Sequence, residues 1–129
     1  MLAVLAGGAV GTGLRLTIDV LLPHGPSDLP IGTFLINLVG SFALGVLVAR
    51  LWPLAPEWLR AGLGPGLLGS FTTFSAVAVS AVQLTAVGAG ATAAVDLVAS
   101  LVGGIAAAAL GIRLGSPAPS ASPPIGADE

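Results

Sequence analysis

The run Gly69-Ser70-Phe71-Thr72-Thr73-Phe74-Ser75 places a glycine, four hydroxyls and two phenylalanines in an otherwise apolar stretch. Hydroxyls donate hydrogen bonds without carrying charge, and the edge of a phenyl ring is partially positive. Together they can hold a small anion without any full cation. Glycine and threonine also loosen a helix, and a helix interrupted at membrane depth exposes carbonyls from one half and amides from the other. Each set can hold an ion of matching sign. The competing explanation is that threonine hydroxyls satisfy those same backbone groups, and that the phenylalanines are ordinary core or lipid contacts. The coincidence of glycine, hydroxyls and aromatics favours the ion site.

A second polar element precedes it. Thr33, Asn37, Ser41 and Gly45 recur at intervals of four, with Gly32 and Gly40 beside them. Small residues on one helix face usually mean close helix packing, which accounts for Gly40, Ser41 and Gly45. Asn37 needs more, because its carboxamide must find partners in a dry bundle or can solvate an anion in a wet path. Gly7, Gly11 and Arg15 are also spaced by four, so a partner helix can approach the glycines closely. Arg15 can pair with Asp19 near a membrane surface or hold helix-end carbonyls. Asp96 and Ser100 are four apart near the start of a last apolar stretch, followed by Gly103, Ala107 and Gly111 at the packing interval. Asp96 reads as an interfacial carboxylate at the positive end of its helix.

The elements that carry these residues follow from composition. The chain has 129 residues, 55% hydrophobic and 8% charged, with no cysteine, and a mean hydropathy of +1.03. Such a chain is an integral membrane protein. Four apolar stretches, about Leu2–Leu22, Ile31–Leu51, Leu59–Gly88 and Ala91–Ile112, are long enough to cross a bilayer. The first lacks a basic leader and carries Arg15 and Asp19, so it reads as a retained helix rather than a signal peptide. The connections are a Pro- and Gly-rich turn at residues 23–30, an interfacial segment from Arg50 to Arg60 with two tryptophans, and Gly88-Ala89-Gly90.

The predicted fold is therefore all-α, with four transmembrane helices in a channel domain over residues 1–112 and the third helix broken near Gly69–Thr73. Residues 113–129, rich in Ser, Pro and Ala, read as a disordered tail. Arg50, Arg60 and Arg113 share the side of the termini and the other two loops have no lysine or arginine, which favours a cytoplasmic N-terminus. A net charge of −2 offers no face for nucleic acid. An enzyme is not expected either, because His24 lies in a loop with no catalytic companions.

The motifs Gly7-Gly8-x-x-Gly11-x-x-x-Arg15, Gly32-Thr33-x-x-x-Asn37-x-x-Gly40-Ser41-Phe42-x-x-Gly45 and Gly69-x-x-Thr72-Thr73-Phe74-Ser75, in this order, resemble the CrcB/Fluc fluoride channels. That resemblance implies a four-helix subunit of the inner (plasma) membrane that works as an antiparallel dimer and passively exports toxic cytoplasmic fluoride through pores along the subunit interface. It implies pore roles for Asn37, Phe74 and Ser75, and a structural sodium ion at the dimer centre held by the backbone carbonyls of Gly69 and Thr72. Arg15, Gly40 and Gly45 would be structural. Val77 stands where a second pore phenylalanine is expected, Ser80 where a glutamate is common, and no tyrosine exists to supply the fourth-span pore tyrosine, whose expected neighbourhood is Asp96. A strong charge bias fixes one orientation, whereas an antiparallel dimer needs the other as well, so the partner is a second copy or, on the charge argument, a paralogue of opposite bias. The rival readings are a small four-helix multidrug exporter-like transporter, which needs a carboxylate deep in the bundle, and a noncatalytic assembly subunit.

Overall fold

The computed structural model describes residues 1–25 and 27–117, so most of the expected C-terminal tail lies outside the described residues. All regular structure among the described residues is helical. Helix α1 spans Leu2–Leu21, and α2 spans Ile31–Val46 and runs on through a π-helical segment, Leu47–Leu51. The third span begins with α3, Glu57–Ala61, and continues through a π-helical segment, Gly62–Leu68, into the short α4, Gly69–Phe71. It resumes as α5, Phe74–Ala86, and α6 spans Gly90–Gly115. Four helical stretches, Leu2–Leu21, Ile31–Leu51, Glu57–Ala86 and Gly90–Gly115, are long and apolar enough to cross a bilayer. The chain is a multi-pass membrane protein.

Local sequence explains the ends. Pro56 precedes α3 in an extended conformation, with Glu57 in the first turn and Arg60 in the last, each suited to its end of the helix dipole. Pro65 lies inside the Gly62–Leu68 segment, where its missing N–H and ring prevent a regular α-turn and a wider π-turn takes over. The α5 helix closes on Gly88 at φ 82°. Gly88 N–H donates to the Thr85 carbonyl and Ala89 N–H to that of Leu84, a paired closure that needs a left-handed residue at this position. The α6 helix continues past the expected Ile112 to Gly115, with Arg113 in its last turn favouring the negative helix end.

Two seams hold the bundle. Along the first, α1 lies on the Gly62–Leu68 segment so closely that a methyl at Gly7 would enter the Gly62 carbonyl, and one at Gly11 that of Leu67. Along the second, α2 and α6 meet backbone to backbone: a methyl at Gly45 would enter the Ala108 carbonyl and one at Gly111 the Phe42 carbonyl. Without a hydrophobic driving force between helices in lipid, such close approach maximises dispersion contact. The fully buried apolar core is small, centred on Ile36, Val77 and Leu84, while residues such as Val82 and Ile105 point outward. An apolar exterior is what a bilayer solvates.

Candidate functional site

Thr72 (φ −77°, ψ 153°) and Thr73 (φ −153°, ψ 111°) are extended between Phe71, the last residue of α4, and Phe74, the first of α5. Extended backbone leaves polar groups without helical partners, and Asn37 supplies partners from α2. Its Nδ2 donates to the Thr73 carbonyl at 3.0 Å, and its Oδ1 accepts from Thr73 N–H at 2.8 Å. One carboxamide thus satisfies both main-chain groups of one residue, a match that fixes the amide orientation. Thr73 then caps α5, its Oγ1 accepting from Ala76 N–H at 3.2 Å. Gly40 completes the seating: a methyl there would collide with the Thr72 methyl and crowd the Phe71 ring.

Several donors beside the extended pair remain free. The Thr72 hydroxyl is spent on the Leu68 carbonyl at 2.8 Å, so one threonine does satisfy freed backbone. Thr73 Oγ1 and Ser75 Oγ lie 3.1 Å apart. That pair holds two hydroxyl hydrogens and uses one between its members, leaving one for an external acceptor. Asn37 keeps a second Nδ2 hydrogen. The first amides of α5, on Phe74 and Ser75, have no preceding turn to bond to, and they sit at the positive end of a 13-residue helix. Phe74 is 67% exposed, so its ring edge is available beside these donors.

Two cavities flank Thr73. One, of about 280 Å³, is a groove lined by Asn37, Ser41, Thr72, Phe74, Val77 and Ser100 among others. The other, of about 270 Å³, is lined by Arg15, Asp19, Thr33, Ser75 and Val79 among others. No cation lines the groove, so an anion there meets neutral donors alone, and Arg15 supplies positive charge only on the far side of Thr73.

The extended residues also leave carbonyl acceptors without helical partners. In a continuous helix Gly69 C=O would accept from Thr73 N–H, but that hydrogen goes to Asn37. Gly69 is exposed, and nothing nearer than the Gly64 carbonyl at 3.7 Å faces its missing side chain. A released carbonyl at Gly69 and an extended Thr72 one turn on are oxygen donors of the kind that hold a hard monovalent cation. The residues present therefore fit sodium.

A family model described as CrcB-like protein, Camphor Resistance (CrcB), matches residues 2–112. The chain belongs to the CrcB family. A fluoride-specific ion channel FluC 1 from Leifsonia xyli subsp. xyli is 39% identical over 127 residues, covering 96% of this chain and 92% of the relative. A fluoride-specific ion channel FluC 2 from Halalkalibacterium halodurans is 41% identical over 117 residues, covering 90% and 85%. A fluoride-specific ion channel FluC from Chelativorans sp. is 39% identical over 118 residues, covering 88% and 94%.

Within this CrcB chain the remaining predicted residues separate. Val77 lines the groove although it is almost fully buried, so it presents a small apolar surface where a phenyl ring is expected from the family. Ser80 is buried and lines a third cavity, of about 430 Å³, with His24 and Gln83. Gly45 belongs to the α2–α6 seam. Asp96 departs from its expected interfacial place: it is 3% exposed, because α6 turns that face onto the entry of α2 at Pro30, Ile31 and Phe34. Ser100 was legible only as the residue four beyond Asp96, and the structure brings it into the groove with Asn37 and Phe74.

Proposed function

We infer that this chain is a subunit of a fluoride channel of the plasma membrane, passing the ion passively down its electrochemical gradient. The observation that carries this reading is the Asn37–Thr73 pair, which holds the backbone open and leaves uncharged donors beside an exposed Phe74. Family membership and relatives named as fluoride-specific channels support it. The chemistry follows from the donor count. Fluoride is small and a strong hydrogen-bond acceptor, so it gains most from O–H and N–H groups placed close together. Larger halides bind such groups less strongly and fit a narrow path less well. The absence of a cation from the groove keeps the ion from being held too tightly to leave, a requirement for conduction.

In this reading Asn37, Phe74 and Ser75 line the path, and Asn37 also holds Thr73 in place. The Gly69 and Thr72 carbonyls hold the sodium ion, which supplies fixed positive charge at the centre of the assembly. The interruption of the third helix serves both ions, donors facing fluoride and acceptors facing sodium. Arg15 adds positive charge near one mouth, and Gly40 and Gly45 set the helix spacing.

The functional unit is an antiparallel dimer. Because Arg50, Arg60 and Arg113 bias this chain to one orientation, its partner is a paralogous subunit of opposite bias. Fluoride efflux from vesicles, followed with a fluoride-selective electrode, tests both levels. Efflux that requires the paralogue supports the full reading. Rapid efflux from this chain alone rejects the paralogous partner and keeps the channel, whereas no efflux in either arrangement rejects the channel.

A further inference from the structure

Asp96 is the most deeply buried ionisable side chain among the described residues, at 3% exposure, and its Oδ2 has no hydrogen-bond partner. Ser100, one helical turn on, also has a buried hydroxyl without a partner. Asp96 faces a cavity of about 130 Å³ walled by Leu29, Pro30, Ile31, Phe34 and Val95, all apolar. An ionised carboxylate in such a place loses its hydration, at a cost of several kcal/mol. No counter-charge is supplied by the helices packed against α6. Neither α2 nor α5 contains a titratable residue. The Leu47–Leu51 segment contributes Arg50, but its neighbour Ala49 packs on Gly115, at the opposite end of α6. The remaining titratable groups on this side are Asp28, an acid, and His24, which both line the neighbouring cavity.

We propose that Asp96 is a proton-binding site behind the wall of the ion path, its neutral carboxylic acid donating to Ser100 Oγ. Neither side chain is then unsatisfied. The acid gives its hydrogen to Ser100, a residue that lines the groove with Asn37 and Phe74. Loss of the proton reverses this bond. Ser100 turns its hydrogen toward the carboxylate, and a negative charge stands one helical turn behind the groove, where it repels an anion. Conduction therefore falls when Asp96 ionises.

Infrared spectroscopy of the full chain in lipid at neutral pH, with and without carbon-13 aspartate, reads the proton itself and is independent of the proposed transport activity. Asp19 and Asp28 are exposed, so the expected result is a protonated-carboxyl C=O band that shifts on labelling and is absent from Asp96→Asn. No labelled band, or one retained in Asp96→Asn, overturns the proposal, and the wild-type labelling arm decides even where the variant folds poorly. The transport arm rests on the fluoride-channel reading. In the conducting assembly, efflux of the wild type falls as external pH rises through the titration of Asp96, by up to about tenfold per pH unit for a single proton. In Asp96→Asn it loses that dependence. Identical pH profiles, or efflux that follows sodium concentration and ignores pH, also overturn the proposal. Absence of efflux at every pH counts against the channel reading and leaves the infrared result to decide the proton site.

Discussion

The middle and the C-terminal end of α2 use the same four-residue spacing for opposite purposes. At Gly45 the helix meets α6 with no side chain between them, and the contact is dry main chain against main chain. At Asn37, two turns earlier, a polar side chain reaches across to extended backbone and leaves donors facing a groove. The small residues bring the helices together, and the asparagine keeps one point from closing. A stripe that looks uniform in sequence is thus divided into a clamp and an opening.

Substitutions at the two places separate these roles. The largest effect is expected at the clamp: Gly111→Leu drives a side chain into the Phe42 carbonyl, where the backbone has no room to relax. A cost above about 3 kcal/mol is expected, read as loss of monodisperse protein in size-exclusion chromatography. Full recovery of folded protein would show that the seam is not tightly packed.

Asn37→Ala comes next. It strands the Thr73 N–H and C=O, costing about 2 kcal/mol, which corresponds to roughly a thirtyfold fall in fluoride efflux if the same bonds hold the path open. Asn37→Asp sharpens the test. The carboxylate still accepts from Thr73 N–H but has no hydrogen for the Thr73 carbonyl, and its negative charge abolishes efflux. An aspartate variant that conducts normally would place the anion elsewhere.

Thr73→Val removes the α5 cap and the hydroxyl shared with Ser75, and is expected to lower stability by about 1 kcal/mol. Thr73→Ser keeps the hydroxyl and is expected to restore stability. The smallest effect is expected far from both places, at Gly88. An alanine there is strained by its left-handed backbone, lowering thermal stability by about 1 kcal/mol with fluoride efflux unchanged.

Hydropathy made four spans readable to within a few residues, because bilayer thickness imposes length on every one of them. The glycine faces of α1 and α2 were readable for a related reason: in lipid, small residues have few uses other than close approach. What stayed hidden required partners distant in sequence. Nothing local shows that Asn37 meets Thr73 rather than another group, or that Thr73 separates two cavities, since both depend on how α2 and α5 cross. Asp96 misled for the same reason. Near the start of a helix a carboxylate ordinarily faces the interface, and only the placement of Pro30, Ile31 and Phe34 over it turns that expectation into burial. The π-helical segments escaped notice as well, although Pro65 offered a local cue.

The proposed function rests on the Asn37–Thr73 pair holding open a path for fluoride. Its most direct test is fluoride release from vesicles containing the chain with its opposite-bias paralogue, compared between wild type and Asn37→Asp at equal amounts of folded protein. Fast fluoride release with chloride retained is expected for the wild type, and release no faster than from protein-free vesicles for the variant. Equal release from both would contradict it.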